Sequence, residues 1–135
     1  MGIYNVFDVS ASALTANRFW LEAISNNMAN SAATRTPEGG PYQRQMPVFQ
    51  TLLDEATGQL KGVQVVGTHK DGSPGPLVYK PGHPDADANG FVRMPNVNVV
   101  TEMVDMISVQ RAYDSNVTIA NAAKNMHQKS LEIGR

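Results

Sequence analysis

Hydrophobic positions recur with helical spacing at both ends of the chain and lose that spacing between them. Ile3, Phe7, Ser10, Leu14, Asn17, Leu21, Ile24 and Met28 are separated by alternating steps of four and three. This is an a/d heptad seam with Ser10 and Asn17 as polar interruptions, and it predicts a helix near 6–29 capped by Asn5. The last stretch repeats the pattern through Met106, Val109, Tyr113, Asn116, Ala120, Ala123, His127 and Ser130. It predicts a helix over 99–133, with Asn98 as N-cap and Gly134 as the residue that ends it. Glu102 and Asp105 near its start, and Lys124 and Lys129 towards its end, complement the helix macrodipole.

The middle is built differently. All eight prolines and nine of the eleven glycines fall within 31–95. Alternation over Tyr42–Phe49, interrupted by Pro47, predicts an edge strand. Val63–Val66 and Leu77–Tyr79 flank Asp71-Gly72-Ser73-Pro74-Gly75 and read as one hairpin with a long turn, with Phe91–Met94 as a further strand. Mobile loops are expected near 31–41 and 70–75. The expected fold is mainly α with a small β middle. Helices from 1–30 and 96–135 would pair as a coiled-coil-like layer, and 31–95 would form antiparallel hairpins and loops.

Length turns this pattern into a statement about assembly. A 35-residue helix spans about 52 Å, whereas a compact globule of this chain would be about 37 Å across. Such a helix must protrude, break or pack on another chain. The first flank agrees, because only 3 of its 30 residues are charged, against roughly 25% in ordinary soluble domains. Nine more are Ser, Thr, Asn or Gln, which suits a helix surrounded by other helices rather than by water.

Composition narrows the chemistry. Eleven basic and twelve acidic residues give a net charge of −1, no case for nucleic acid. There is no cysteine, which excludes disulfides and thiolate sites. Apolar runs are too short for membrane insertion. The first positive charge is Arg18, so no ordinary cleaved signal peptide is expected. Asp85-Ala86-Asp87-Ala88-Asn89-Gly90 matches the first six positions of an EF-hand loop. Asn96, however, stands where the bidentate Glu belongs, and Pro81, Gly82 and Pro84 occupy the entering helix, which favours a plain Asx turn. His83 beside Asp85 offers at most a mixed ligand pair. No nucleophile elbow, zinc helix or phosphate loop is present, so neither catalysis nor a cofactor is expected. The rival readings are a calcium-responsive module centred on Asp85, Asp87 and Asn89, and an enzyme around His83 and Asp85.

Longer motifs then carry a resemblance. Ser10-Ala11-Ser12-Ala13-Leu14-Thr15-Ala16 and Ile24-Ser25-Asn26-Asn27-Met28-Ala29-Asn30 resemble the N-terminal signature of bacterial flagellar rod and hook axial proteins. Gly39-Gly40-Pro41-Tyr42-Gln43-Arg44, Tyr79 to Asp87, Gly90-Phe91-Val92 and Met94 to Asn98 are similar to the proximal rod members of that family. So are Glu102 to Ile107 and Arg111 to Asn116. Ala13, Lys80 and Ser115 depart from the usual residues. The resemblance implies a structural subunit of the flagellar basal-body rod, polymerising through its terminal helices into a tubular drive shaft across the periplasm. It also implies export by the flagellar type III apparatus without a cleaved signal. The implied partners are other proximal and distal rod proteins, neighbouring copies of itself, the export apparatus and basal-body ring components. The expected interface comprises Ile3, Phe7, Leu14, Asn17, Leu21, Ile24, Asn27 and Met28 on the first helix. On the second it comprises Val100, Met103, Ile107, Tyr113, Asn116, Ala120 and Leu131.

Overall fold

The computed structural model describes residues 3–55 and 57–134, with side chains from residue 5 onward. Two helices flank a small β region, in the order α1 (Ile3–Ala29), β1 (Gln45–Leu53), β2 (Leu60–Lys70), β3 (Leu77–Tyr79), β4 (Phe91–Arg93) and α2 (Val99–Ile133). α1 begins earlier than the pattern predicted, so Asn5 lies inside the helix and does not cap it. α2 matches the predicted span. Asn98 caps it, its Oδ1 accepting from the amides of Val100 at 3.0 Å and Thr101 at 3.2 Å. Gly134 follows without the positive φ of a left-handed C′ residue.

The strands pair differently from the expected hairpin. β1 pairs with β2, and β3 with β4, as two separate two-stranded sheets. In the second, Leu77 faces Arg93, Val78 faces Val92 and Tyr79 faces Phe91, antiparallel. Residues 71–75 therefore join two sheets and do not turn one hairpin. The reason is competition for their backbone groups. The Asp71 amide donates to the Arg44 carbonyl at 2.8 Å, and Asn96 Nδ2 donates to the carbonyls of Asp71 and Ser73, both at 2.9 Å. The turn that does close a hairpin is Asp54–Gln59. There the Asp54 amide meets the Gln59 carbonyl at 2.8 Å, and Gly58 takes a positive φ of 65°. Pro47 is tolerated in β1 because every strand of a two-stranded sheet is an edge.

The chain divides into two compact units. One contains the chain up to Leu21, Pro47–Gly67 and the chain from Ile107 onward; the other contains Glu22–Met46 and Thr68–Met106. In the first, Ser10, Ala16, Val109 and Ala123 are buried, and Trp20 stacks obliquely on Phe49 with ring centroids 5.7 Å apart. The β hairpin meets α1 where Ser12 Oγ accepts from the Val63 amide at 3.1 Å and donates to the Val9 carbonyl at 2.7 Å. Gly62 sits against that hydroxyl with a φ of 131°, and a Cβ there would come within 2.2 Å of Ser12 Oγ. In the second unit Ala23, Ile24, Asn27, Val92 and Glu102 are buried.

Candidate assembly surfaces

The second unit is organised by a buried carboxylate. Glu102 is wholly inaccessible and accepts from Asn27 Nδ2 at 3.1 Å and from Arg44 Nε. Arg44 also donates through Nη2 to Asp105 at 3.1 Å, so one guanidinium bridges two carboxylates a turn apart on α2. Asn27 uses its whole amide. Its Nδ2 donates to the Gln45 carbonyl at 2.9 Å, while Oδ1 accepts from the Gln45 amide at 2.9 Å and from Tyr42 Oη at 3.0 Å. The Tyr42 phenol is held above its ordinary value, first by burial and then by the Glu102 charge, so it remains a donor. Arg44's amide donates to Asn96 Oδ1 at 2.7 Å. The result ties the end of α1, the strand entry at 42–45 and the first turn of α2 together. Among the described residues no buried side-chain nitrogen or oxygen lacks a partner, which is the condition under which a buried polar network stabilises.

Spacing could not reveal this cluster. By spacing, Glu102 and Asp105 read as charges near a helix N-terminus and Arg44 as one residue of an alternating strand, and the motifs that carry the resemblance leave the three unconnected. Asn27 was read as an interface residue, and its side chain is committed inside its own chain.

The Asp85 loop is anchored in the same manner. Asp85 Oδ2 accepts from Thr34 Oγ1 at 2.8 Å, and Oδ1 takes both Nε and Nη2 of Arg35. Asp87 Oδ1 accepts the amides of Asn89 at 2.9 Å and Phe91 at 2.8 Å. These carboxylates are spent on pinning the loop, as an Asx turn requires. Among the described residues no group of three or more His, Cys, Asp or Glu could hold a metal, and no helix is long and apolar enough to cross a membrane. Hydrogen bonds from Thr34 and then Arg35 hold the Asp85 carboxyl below its ordinary 3.8. A lowered folded value contributes stability above about pH 4 that is lost as pH falls through the folded value. Asp85→Asn should therefore remove an acid-dependent step below about pH 4 in an NMR titration of the 83–91 amides; an unchanged titration would contradict this anchoring.

α2 carries apolar residues on two opposite faces. Val109, Tyr113, Asn116, Ala120, Ala123 and His127 are buried or half-buried, following the predicted stripe. Val100 is 70% exposed, Met103 51%, Val104 57% and Ile107 55%, at spacings of three and four on the other side. Leu131 is exposed as well. The remaining expected interface residues divide by burial. Ile24 and Asn27 are buried, whereas Phe7, Leu14, Asn17, Leu21 and Met28 are half-buried. The side chain of Ile3 lies outside the described residues. Large apolar side chains exposed along one helix face are a pattern that interaction surfaces commonly show.

Comparison with known proteins defines the class first. Residues 88–133 match the family described as flagellar basal body rod FlgEFG protein C-terminal. The chain is 43% identical over 136 residues to the flagellar basal-body rod protein FlgC of Salmonella typhimurium, covering 100% of both chains. It is 43% identical over 151 residues to the FlgC of Borreliella burgdorferi, covering 98% of each, and 40% identical over 150 residues to that of Bacillus subtilis, covering 100% of each. The chain belongs to the FlgC family of flagellar basal-body rod proteins. Its role is structural, not enzymatic, and its place is the basal body.

Proposed function

We propose that this rod subunit polymerises through its terminal helices, 1–30 and 96–135, into the tubular shaft that transmits torque across the periplasm, with 31–95 contacting neighbours. It is delivered by the flagellar type III apparatus. Its partners are other proximal and distal rod proteins, copies of itself, the export apparatus and basal-body ring components. The observation that carries this reading is the exposed row Val100, Met103, Val104 and Ile107 on a helix whose opposite face is already used within the chain. Fully burying side chains of this size is worth about 1.5–3 kcal/mol each, so four partly exposed ones supply several kcal/mol to a neighbour's helix. Phe7, Leu14, Leu21 and Met28 from α1 and Tyr113, Asn116, Ala120 and Leu131 from α2 pack partly within the chain and partly against neighbours. Asn17 and Asn116 would set register as polar seam residues do.

The test is deletion of the gene in its own bacterium with electron microscopy of basal bodies. Rodless, non-motile cells rescued by the intact chain, and not by one lacking residues 1–30, are the expected result. Normal basal bodies in the deletion strain would defeat the proposal.

A further inference from the structure

Two methionines of α2 stand apart from the others in the chain. Met103 is 51% exposed and Met126 58%, whereas Met28, Met46, Met94 and Met106 are half-buried. Met46 is shielded a second way, since its Sδ accepts from Arg44 Nη1 at 3.0 Å. Met1 lies outside the described residues. A thioether is oxidised through a sulfur lone pair, so exposure decides which methionines convert to the sulfoxide.

The two exposed sulfurs differ in their surroundings. On a helix the neighbouring side chains are those three and four positions away. For Met103 these are Val99, Val100, Met106 and Ile107, all apolar, so none can donate a hydrogen bond. For Met126 they are Ala122, Ala123, Lys129 and Ser130. Lys129 is exposed and carries three N–H donors, and the Ser130 hydroxyl already donates to the Met126 carbonyl at 2.9 Å. Met103 also belongs to the exposed row with Val100 and Val104, the face assigned above to a neighbour.

We propose that Met103 is an oxidation site whose sulfoxide keeps the subunit out of the rod. This rests on the self-assembly proposed above and adds to it a chemical sensitivity of the unassembled chain. The oxidant is a peroxide. The thioether sulfur gives a lone pair to one peroxide oxygen, the S–O bond forms as the O–O bond breaks, and the departing hydroxide takes the proton and leaves as water. Sulfur is oxidised by two electrons and the peroxide is reduced by the same two. In the free subunit the new oxygen faces water, and the fold is undisturbed. Beneath a neighbouring helix it becomes a buried acceptor with no donor side chain beside it on α2, a strongly unfavourable arrangement. A sulfoxide at Met126 has Lys129 within reach and is tolerated. Incorporation covers the Met103 sulfur, so the reaction belongs to the interval before assembly, and methionine sulfoxide reduction reverses it.

Peptide mapping by mass spectrometry tests the first half. In the purified chain under dilute hydrogen peroxide, Met103 and Met126 should be oxidised about tenfold faster than Met28, Met46, Met94 and Met106, with no change in melting temperature. Swimming tests the second half. In a deletion strain, Met103→Gln places a polar amide of similar length where the sulfoxide would stand. It should swim far less well than Met103→Leu, although the two purified proteins melt alike, while Met126→Gln should match the parent. Met103 reacting no faster than the half-buried methionines, or Met103→Gln cells swimming as well as Met103→Leu cells, would overturn the oxidation site and leave the rod reading intact. A deletion strain that swims would overturn both.

Discussion

Glu102→Ala is expected to lower the stability of the isolated protein by about 3 kcal/mol, or roughly 12 °C in Tm at about 4 °C per kcal/mol for a chain of this size. Two groups lose this acceptor at once, the Arg44 Nε and the Asn27 Nδ2, and Arg44 loses the partner that aligns it with Asp105. Removing one member of a buried ion pair is costly because the other stays behind uncompensated, and Arg44 is largely enclosed. Removing both costs less. The double variant Glu102→Leu with Arg44→Met should thus be more stable than Glu102→Ala with Arg44 intact, since no buried charge is then stranded and Asp105, one-third exposed, can be solvated. Urea denaturation of the three proteins decides it. A Glu102→Ala protein within about 0.5 kcal/mol of the parent would mean that water enters and replaces the carboxylate.

Ile107→Asp is expected to leave the monomer's melting temperature nearly unchanged and to abolish motility. The side chain is 55% exposed in the chain itself, so an aspartate there is solvated until assembly covers it. Burying that carboxylate without a partner costs several kcal/mol, and about 3 kcal/mol already weakens association more than a hundredfold. Leu21→Asp is the contrasting substitution, because Leu21 is half-buried within its own unit and its loss should lower stability and motility together. Motile Ile107→Asp cells would show that this face of α2 points away from every neighbour. Circular dichroism melts paired with a swimming assay separate the cases.

These two substitutions also mark how far the sequence could be read. Both helices were legible because their apolar residues repeat at three and four over many turns, and the proline-rich middle could only interrupt them. The inward stripe of α2 followed from the same repeat. Of the outward row, Val100, Met103 and Ile107 belong to the expected interface and Val104 does not, and the spacing alone does not show that the row faces away from the stripe until the inward residues are fixed. The strand pairing differs from the one alternation suggests. Alternation identifies strands, but which strand takes which partner is decided by Asn96 and the Arg44 carbonyl capturing the 71–73 backbone, contacts between residues 23 to 27 positions apart. The polar cluster was invisible for a related reason, since Asn27, Arg44 and Glu102 share neither a period nor a motif.

That separation also has a consequence in time. Asn27 and Glu102 are 75 residues apart, and Arg44 and Glu102 are 58 apart. A helix such as α1 forms within about a microsecond once its residues are free, whereas contacts between distant positions wait on loop closure and slow the overall rate. In a chain emerging N-terminus first from any narrow passage, Asn27 and Arg44 reach the outside long before the carboxylate that joins them. Until residue 102 follows, the second unit has no way to close, and every earlier segment stays open to being drawn onward or to meeting a neighbour before its own C-terminal partner arrives.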